Sequence, residues 1–190
     1  MESVYAFLKF LHILTVIFMA APLYSLIIVN ERALFSPQMV YQVDRYMETM
    51  IGKNALRCYV FQLTALLTGL WLIWKLGWSW NLVLVLKLLL LFVLMALLSI
   101  VHLHIQPRIE KLFNQVKNDP VPQEIAAQIK PLRLLRKRLA ATCLFIMITT
   151  VLLGLQVFIQ FPLLANLLIL ALAGLFSARA FKKPLRLGWW

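Results

Sequence analysis

The sequence predicts an all-α integral membrane protein: a bundle of five transmembrane helices, with the amino terminus outside and the carboxyl terminus in the cytoplasm. Apolar residues make up 63% of the 190 residues and charged residues only 14%, whereas soluble domains carry about 25% charged residues. Several apolar runs reach the roughly 20 residues that a helix needs to cross a bilayer. Because no long polar segment interrupts them, residues 1–190 are expected to form a single transmembrane helical domain.

Five apolar segments qualify as spans: 4–29, 57–75, 80–104, 136–159 and 163–178. The first lacks the basic flank of a secretory signal and is too long for one, so we expect it to be retained as a helix. The last is short, but it follows Pro162, and proline is favourable in the first turn of a helix. The alternative of four spans would leave this last segment out.

The distribution of positive charge favours five spans over four. Sixteen of the 19 lysine and arginine residues lie in the loops 30–57 and 105–138 or in the tail after residue 178. With five spans all of them fall on one face, which the positive-inside rule assigns to the cytoplasm. The net charge of +12 is then explained by topology and by contact with anionic lipid headgroups, so no nucleic-acid partner is expected.

The loop between the first two spans contains "SPQMVYQVDRYMETMI". Ser36 can cap a helix that begins at Pro37. Apolar residues follow at helical spacing, namely Val40, Val43, Met47 and Met50. We therefore expect a short amphipathic helix at the inner interface.

The acidic residues are expected in loops or at the outer end of the first helix, which argues against a carboxylate-based ion transporter.

Polar side chains gather at one depth in the outer half of the predicted bundle. His12 lies about 12 Å and Lys87 about 10 Å below the outer ends of their spans at the helical rise per residue. A lysine at mid-membrane costs about 2.5–3.5 kcal/mol, so it needs a partner or a cavity. Spans two and four add small and hydroxyl-bearing residues at this level, namely Thr64, Thr68, Gly69, Thr150 and Gly154.

Each of these residues also has a simpler explanation. His12 can form a hydrogen bond with a neighbouring helix, and Lys87 can extend its long side chain to the outer headgroups. The small residues can serve ordinary helix packing. Residue types and depth alone therefore leave open whether this level of the bundle is a binding site or ordinary helix packing.

The remaining histidines and the cysteines give no metal motif. His102 and His104 are two residues apart, so on a helix they point to different sides, and a chelating pair would need a spacing of three or four. Either can still be a single axial ligand or a proton carrier. Cys58 and Cys143 are expected to be small buried hydrophobic residues near the cytoplasmic side.

Three segments carry a resemblance to a known family: "LKFLHIL", "LLTGLWLI" and "LVLVLKLLLLFVLMALLSIVHLH". Over roughly residues 6–110 the chain resembles the small bacterial membrane bundles of the HemJ type, which are linked to protoporphyrinogen oxidation. It is also similar to the membrane domain of CopD-type copper resistance proteins. The resemblance implies a bacterial inner-membrane protein with a b-type haem inside the bundle.

The HemJ-type resemblance also implies roles for individual residues. The first-helix histidine and a third-helix lysine are the proposed haem partners, and they correspond to His12 and Lys87. Imidazole is a common axial ligand of haem iron, and a neutral lysine amine can be the second ligand, or the lysine a propionate partner. Thr64, Thr68, Gly69, Thr150 and Gly154 would line the pocket. In the HemJ-type family a segment rich in tryptophan and glycine follows the histidine, whereas residues 15–35 of this sequence contain neither residue. The fifth span is also additional to the four that are usual in the family.

These departures favour a divergent haem protein acting in electron transfer or membrane oxidoreduction over a HemJ-type protoporphyrinogen oxidase. Such a protein would act alone, within a larger redox complex or as a homo-oligomer. A cofactor-free accessory subunit and a CopD-like copper permease are the remaining alternatives. A copper pathway should show rows of methionine, histidine or cysteine, and Met19 and Met95 stand isolated in the sequence.

Overall fold

A computed structural model of the chain describes residues 2–31, 39–75, 77, 81–116, 119–157, 159 and 161–182. Within these residues the fold is all-α, as the composition predicts. The helices are α1 (Glu2–Phe18), α2 (Ala21–Glu31), α3 (Tyr41–Lys75), α4 (Leu82–Ile100), α5 (Gln106–Phe113), α6 (Gln123–Gln156) and α7 (Leu163–Ala180), and a π-helical turn, Val101–Ile105, joins α4 to α5. Five helical segments are long and apolar enough to cross a membrane, which indicates a multi-pass membrane protein.

The first predicted span, 4–29, is not one straight helix. It is divided into α1 and α2 by a turn at Met19 and Ala20, whose side chains are buried. Pro22 explains the break, because a proline ring clashes with the carbonyl group four residues earlier, here that of Phe18.

Neighbouring spans run antiparallel. Along α1 and α3, His12 lies beside Gly69 and Phe18 stacks on Phe61, so residue numbers rise on one helix as they fall on the other.

Trp71 and Trp74 mark one end of the bundle, which we call the aromatic end. Trp78 and Trp80 lie outside the described residues. The opposite end, where α3 and α6 begin and α7 finishes, is called the basic end.

The segment predicted to be a separate interfacial helix is the first part of α3. This helix contains no proline and runs unbroken from Tyr41 to Lys75; the predicted cap at Ser36 and Pro37 lies outside the described residues. The carboxylate of Asp119 accepts a hydrogen bond from the backbone N–H of Tyr41 at 2.6 Å, where α3 begins. At the helical rise α3 is about 52 Å long, so it extends well beyond a hydrocarbon core of about 30 Å.

Two further helices accompany α3 beyond the apolar part of the bundle. The π-helical turn with α5, and the first half of α6, pack around a separate apolar cluster at the basic end. Its buried members are Ile105, Ile109, Phe113, Val116, Val121 and Ile129. The basic end is therefore a small helical layer with its own core.

A buried ion-pair network joins this layer to the bundle. Asp44 and Glu48, predicted to lie in a loop, are each only 2% exposed, because two arginines of α6 neutralise them. Arg133 Nη1 lies 2.9 Å from Asp44 Oδ1, and Arg136 forms a bidentate pair with Glu48. Gln106 accepts from Arg136 Nη1 at 2.8 Å and donates to the backbone carbonyl of Glu48 at 3.1 Å.

Replacing Arg136 with methionine should lower the free energy of unfolding by about 3 kcal/mol, because the buried carboxylate of Glu48 loses its bidentate partner and keeps only Arg133, and Gln106 Oε1 loses its donor. Denaturant titration of the detergent-purified protein, followed by tryptophan fluorescence, measures this change. Arg138→Met is the matched control, since Arg138 lies on the same helix with an exposed side chain. Its effect should stay within about 0.5 kcal/mol, and equal effects of the two substitutions would contradict the structural role of the network.

Candidate functional site

His12 is held against α3 by a hydrogen bond. It lies on α1 with a partly buried side chain, and its Nδ1 is 3.0 Å from Thr68 Oγ1. The Thr68 hydroxyl lies 2.6 Å from the carbonyl oxygen of Thr64 one turn earlier, to which it donates. A hydroxyl has one proton, so Thr68 Oγ1 is left to accept from His12.

This arrangement fixes the tautomer of the His12 imidazole. Nδ1 must carry the proton because it donates to Thr68 Oγ1, whose own proton is committed to the carbonyl of Thr64. In a neutral imidazole the other nitrogen is then unprotonated. Nε2 therefore carries a lone pair, which is the form that binds a metal ion.

Gly69 makes room for the His12 ring. A Cβ atom at this position would lie 3.2 Å from His12 Cε1, closer than ordinary van der Waals contact between carbon atoms. The absence of a side chain at Gly69 thus lets α1 approach α3 with an imidazole between them.

Lys87 occupies the equivalent position between α4 and α6. Its Nζ is 3.4 Å from the position of a Cβ atom on Gly154, two residues before the end of α6. No carboxylate among the described residues pairs with Lys87. His12 and Lys87 lie in different helix pairs, α1 with α3 and α4 with α6, and their shared depth stays a prediction.

Two other predicted site residues form hydrogen bonds within their own helices. Thr64 donates to the carbonyl of Val60 and Thr150 to that of Ile146, each at 2.8 Å. Thr150 lies one helical turn before Gly154. The structure thus brings the predicted residues together as two groups, His12 with Thr68 and Gly69, and Lys87 with Gly154. Thr64 and Thr150 lie nearby on α3 and α6.

The donor groups at this level suit a haem iron. An imidazole whose Nδ1–H is engaged by a neighbouring group and whose Nε2 is unprotonated is the usual form of a histidine ligand. The amine of Lys87 is a second nitrogen donor without a carboxylate partner in the described part of the chain. The space beside Gly69 and Gly154 is filled by the imidazole and the amine themselves, so these glycines accommodate the donor side chains.

A cavity that was not predicted lies deeper in the bundle. It has a volume of about 70 Å³ and a mostly apolar lining, in which four residues carry sulfur, Met19, Cys58, Cys143 and Met147. Both cysteines are free thiols. Gln62 also lines the cavity; it is 2% exposed and its Oε1 has no hydrogen-bond partner in the described structure. Met19, isolated in the sequence, thus lines one cavity with three other sulfur-bearing residues.

The two remaining histidines differ in environment, as their spacing predicts. The π-helical turn places His102 against the ring of Tyr59, with centroids 5.9 Å apart, and leaves His104 exposed.

The sequence analysis did not predict the buried ion pairs at the basic end. A signal was present, because continuing the buried face of α3 from Ala65 through Cys58 and Ile51 leads to Glu48 and Asp44.

Comparison of the chain with protein-family models, with curated proteins and with solved structures finds no match. The chemistry of the site is therefore argued from its own residues.

Replacing Thr68 with valine should abolish the preference of His12 for the Nδ1–H tautomer, because valine has a similar shape but no acceptor for the ring proton. Nitrogen NMR of protein labelled with ¹⁵N-histidine reads the protonation of each ring nitrogen directly. Thr64→Val is the matched control, since the Thr64 hydroxyl bonds to the carbonyl of Val60. A wild-type His12 with Nε2 protonated would contradict the assignment.

Proposed function

We propose that this chain is a multi-pass protein of a bacterial inner membrane that binds a b-type haem through His12 and acts in electron transfer or membrane oxidoreduction. The observation that carries the proposal is the hydrogen bond from His12 Nδ1 to Thr68, which leaves Nε2 unprotonated inside the apolar part of the bundle. Nε2 of a neutral imidazole is the usual protein ligand of haem iron.

Each residue of the site has a defined role in this proposal. His12 Nε2 would hold the haem iron, and Thr68 fixes the ring orientation and makes the imidazole a better electron-pair donor by accepting a hydrogen bond from Nδ1–H. Lys87 would hold the iron as well or pair with a propionate group. The bound haem would supply one-electron chemistry, while the chain sets the ligands, the polarity and the access of water.

The basic residues support the proposed orientation. Arg133, Arg136, Lys137 and Arg138 lie at the basic end of α6, and Arg179 and Lys182 lie near the end of α7, at the same end of the bundle. The positive-inside rule then places the basic end in the cytoplasm. His12 and Lys87, near the aromatic end, would lie in the outer half of the membrane.

The test is a visible spectrum of the detergent-purified protein, oxidised and then reduced with dithionite, after expression with ample haem. The wild type should show a Soret band and reduced α and β bands typical of b-type haem, and His12→Ala should lose them while keeping its helical content. His104→Ala is the matched control, since His104 is exposed at the basic end, and its spectrum should be unchanged.

A well-folded but colourless wild type would overturn the haem proposal. His12 and Lys87 would then be packing partners that fill the space beside Gly69 and Gly154, as expected of a cofactor-free accessory subunit. A protein that binds haem equally well without His12 would overturn the ligand assignment alone.

One observation favours a second candidate, copper handling, to which the CopD-type resemblance also points. Four sulfur-bearing residues from three parts of the chain line one cavity, and thiolate and thioether ligands select Cu(I). Titration of the purified protein with Cu(I) against a coloured chelator tests this candidate. Cys58→Ser and Met147→Leu should weaken binding, whereas Met95→Leu, whose side chain does not line the cavity, should not.

A further inference from the structure

A larger cavity, of about 380 Å³, lies at the basic end between α3 and α5. Arg45 and Lys53 contribute from α3, His102 from the π-helical turn and Glu110 from α5. This volume lies within the range of sites that bind small molecules, about 300–1,000 Å³. The cavity is separate from His12 and Lys87, which line neither it nor the smaller cavity.

The exposed surface of α3 locates this cavity relative to a membrane. Thr49 and Lys53 lie on a stripe that continues with Leu56 and Val60, which are 64% and 57% exposed. On the neighbouring segment, Leu103 is 62% exposed and is followed by His104. Both surfaces thus change from polar to apolar next to the cavity, which places it at the depth of lipid headgroups.

The cavity contains charges of both signs that are not paired with each other. Among the described residues, the hydrogen bonds of Arg45 go to neutral groups, the hydroxyl of Tyr41 at 2.9 Å and Asn114 Oδ1 at 2.8 Å. Within the same part of the chain, Glu110 accepts one long hydrogen bond, from Gln106 at 3.4 Å. Among the described residues no ion pair joins Lys53 or Glu110 to another group. The other wall carboxylate, Glu48, is already neutralised by two arginines.

His102 adds a polar side chain to the wall of the cavity. Neither of its ring nitrogens has a hydrogen-bond partner within the described residues, and Nδ1 is buried. The π-helical turn, a feature frequent at functional sites, sets its ring on Tyr59 at the wall of the cavity.

We propose that this cavity binds the headgroup of a phospholipid that carries both a phosphate and a primary ammonium group, as an ethanolamine phospholipid does. Arg45, Lys53 and His102 are placed to bind the phosphate, and Glu110 to accept from the ammonium. The acyl chains would lie along the apolar stripe that begins at Leu56. This inference is independent of haem binding.

The experiment is native mass spectrometry of the detergent-purified full chain with added phospholipids of identical acyl chains. Phosphatidylethanolamine should form more adducts than phosphatidylglycerol, which lacks the ammonium, and than phosphatidylcholine, whose quaternary amine cannot donate to Glu110. The expected preference is about three- to five-fold, the factor that one solvent-accessible charge pair gives. Dissolved phosphoethanolamine is added in a separate arm to distinguish a lipid from its free headgroup.

Two substitutions separate the two charges of the headgroup. Glu110→Gln should abolish the preference for phosphatidylethanolamine over phosphatidylglycerol, whereas Lys53→Gln should weaken both lipids about equally. Lys111→Gln and Glu124→Gln are matched controls on exposed residues outside the cavity. Equal adducts with all three lipids, or a preference that survives Glu110→Gln, would overturn the proposal. Phosphoethanolamine that binds as tightly as the lipid would exclude a lipid as the ligand.

Discussion

The pairing of polar groups within an apolar bundle is the constraint on which the rest of this structure depends. Hydrocarbon offers no hydrogen bonds, so polar groups inside are stabilised by partners in the chain itself. The buried face of α3 carries four of the nine buried polar residues in the described part of the chain, namely Asp44, Glu48, Gln62 and Thr68. Helices α1 and α6 supply partners in His12, Arg133 and Arg136, and this long helix therefore determines where its neighbours lie.

Two polar layers result, one near each end of α3. At the basic end, arginines of α6 neutralise two carboxylates and connect a separate apolar core to the bundle. Near the aromatic end, Thr68 and Gly69 orient one imidazole and give it space. The four charged residues of the first network, Asp44, Glu48, Arg133 and Arg136, are paired with one another, which indicates a structural role for that network. The second leaves a nitrogen lone pair available, which is why we place the chemistry there.

The sequence predicted the parts that depend on local composition. Hydropathy located all five spans, because a sufficiently long apolar run can be recognised without knowing which helices pack against it. Depth counting put Thr68 and Gly69 at the level of His12, since the helical rise is constant, and the structure brings these three residues into contact. It missed the pairing of Glu48 with Arg136, 88 residues away, because long-range partners depend on packing. It also missed the long continuation of α3, since hydropathy falls where the helix leaves the apolar layer.

The measurement that tests the central claim most directly is an anomalous-difference map, recorded at the iron absorption edge, from crystals of protein expressed with haem. The account predicts an iron peak at bonding distance from His12 Nε2, with Nδ1 still bonded to Thr68 Oγ1. Well-ordered side chains of His12 and Lys87 lying against Gly69 and Gly154, with no iron peak between the helices, would contradict it.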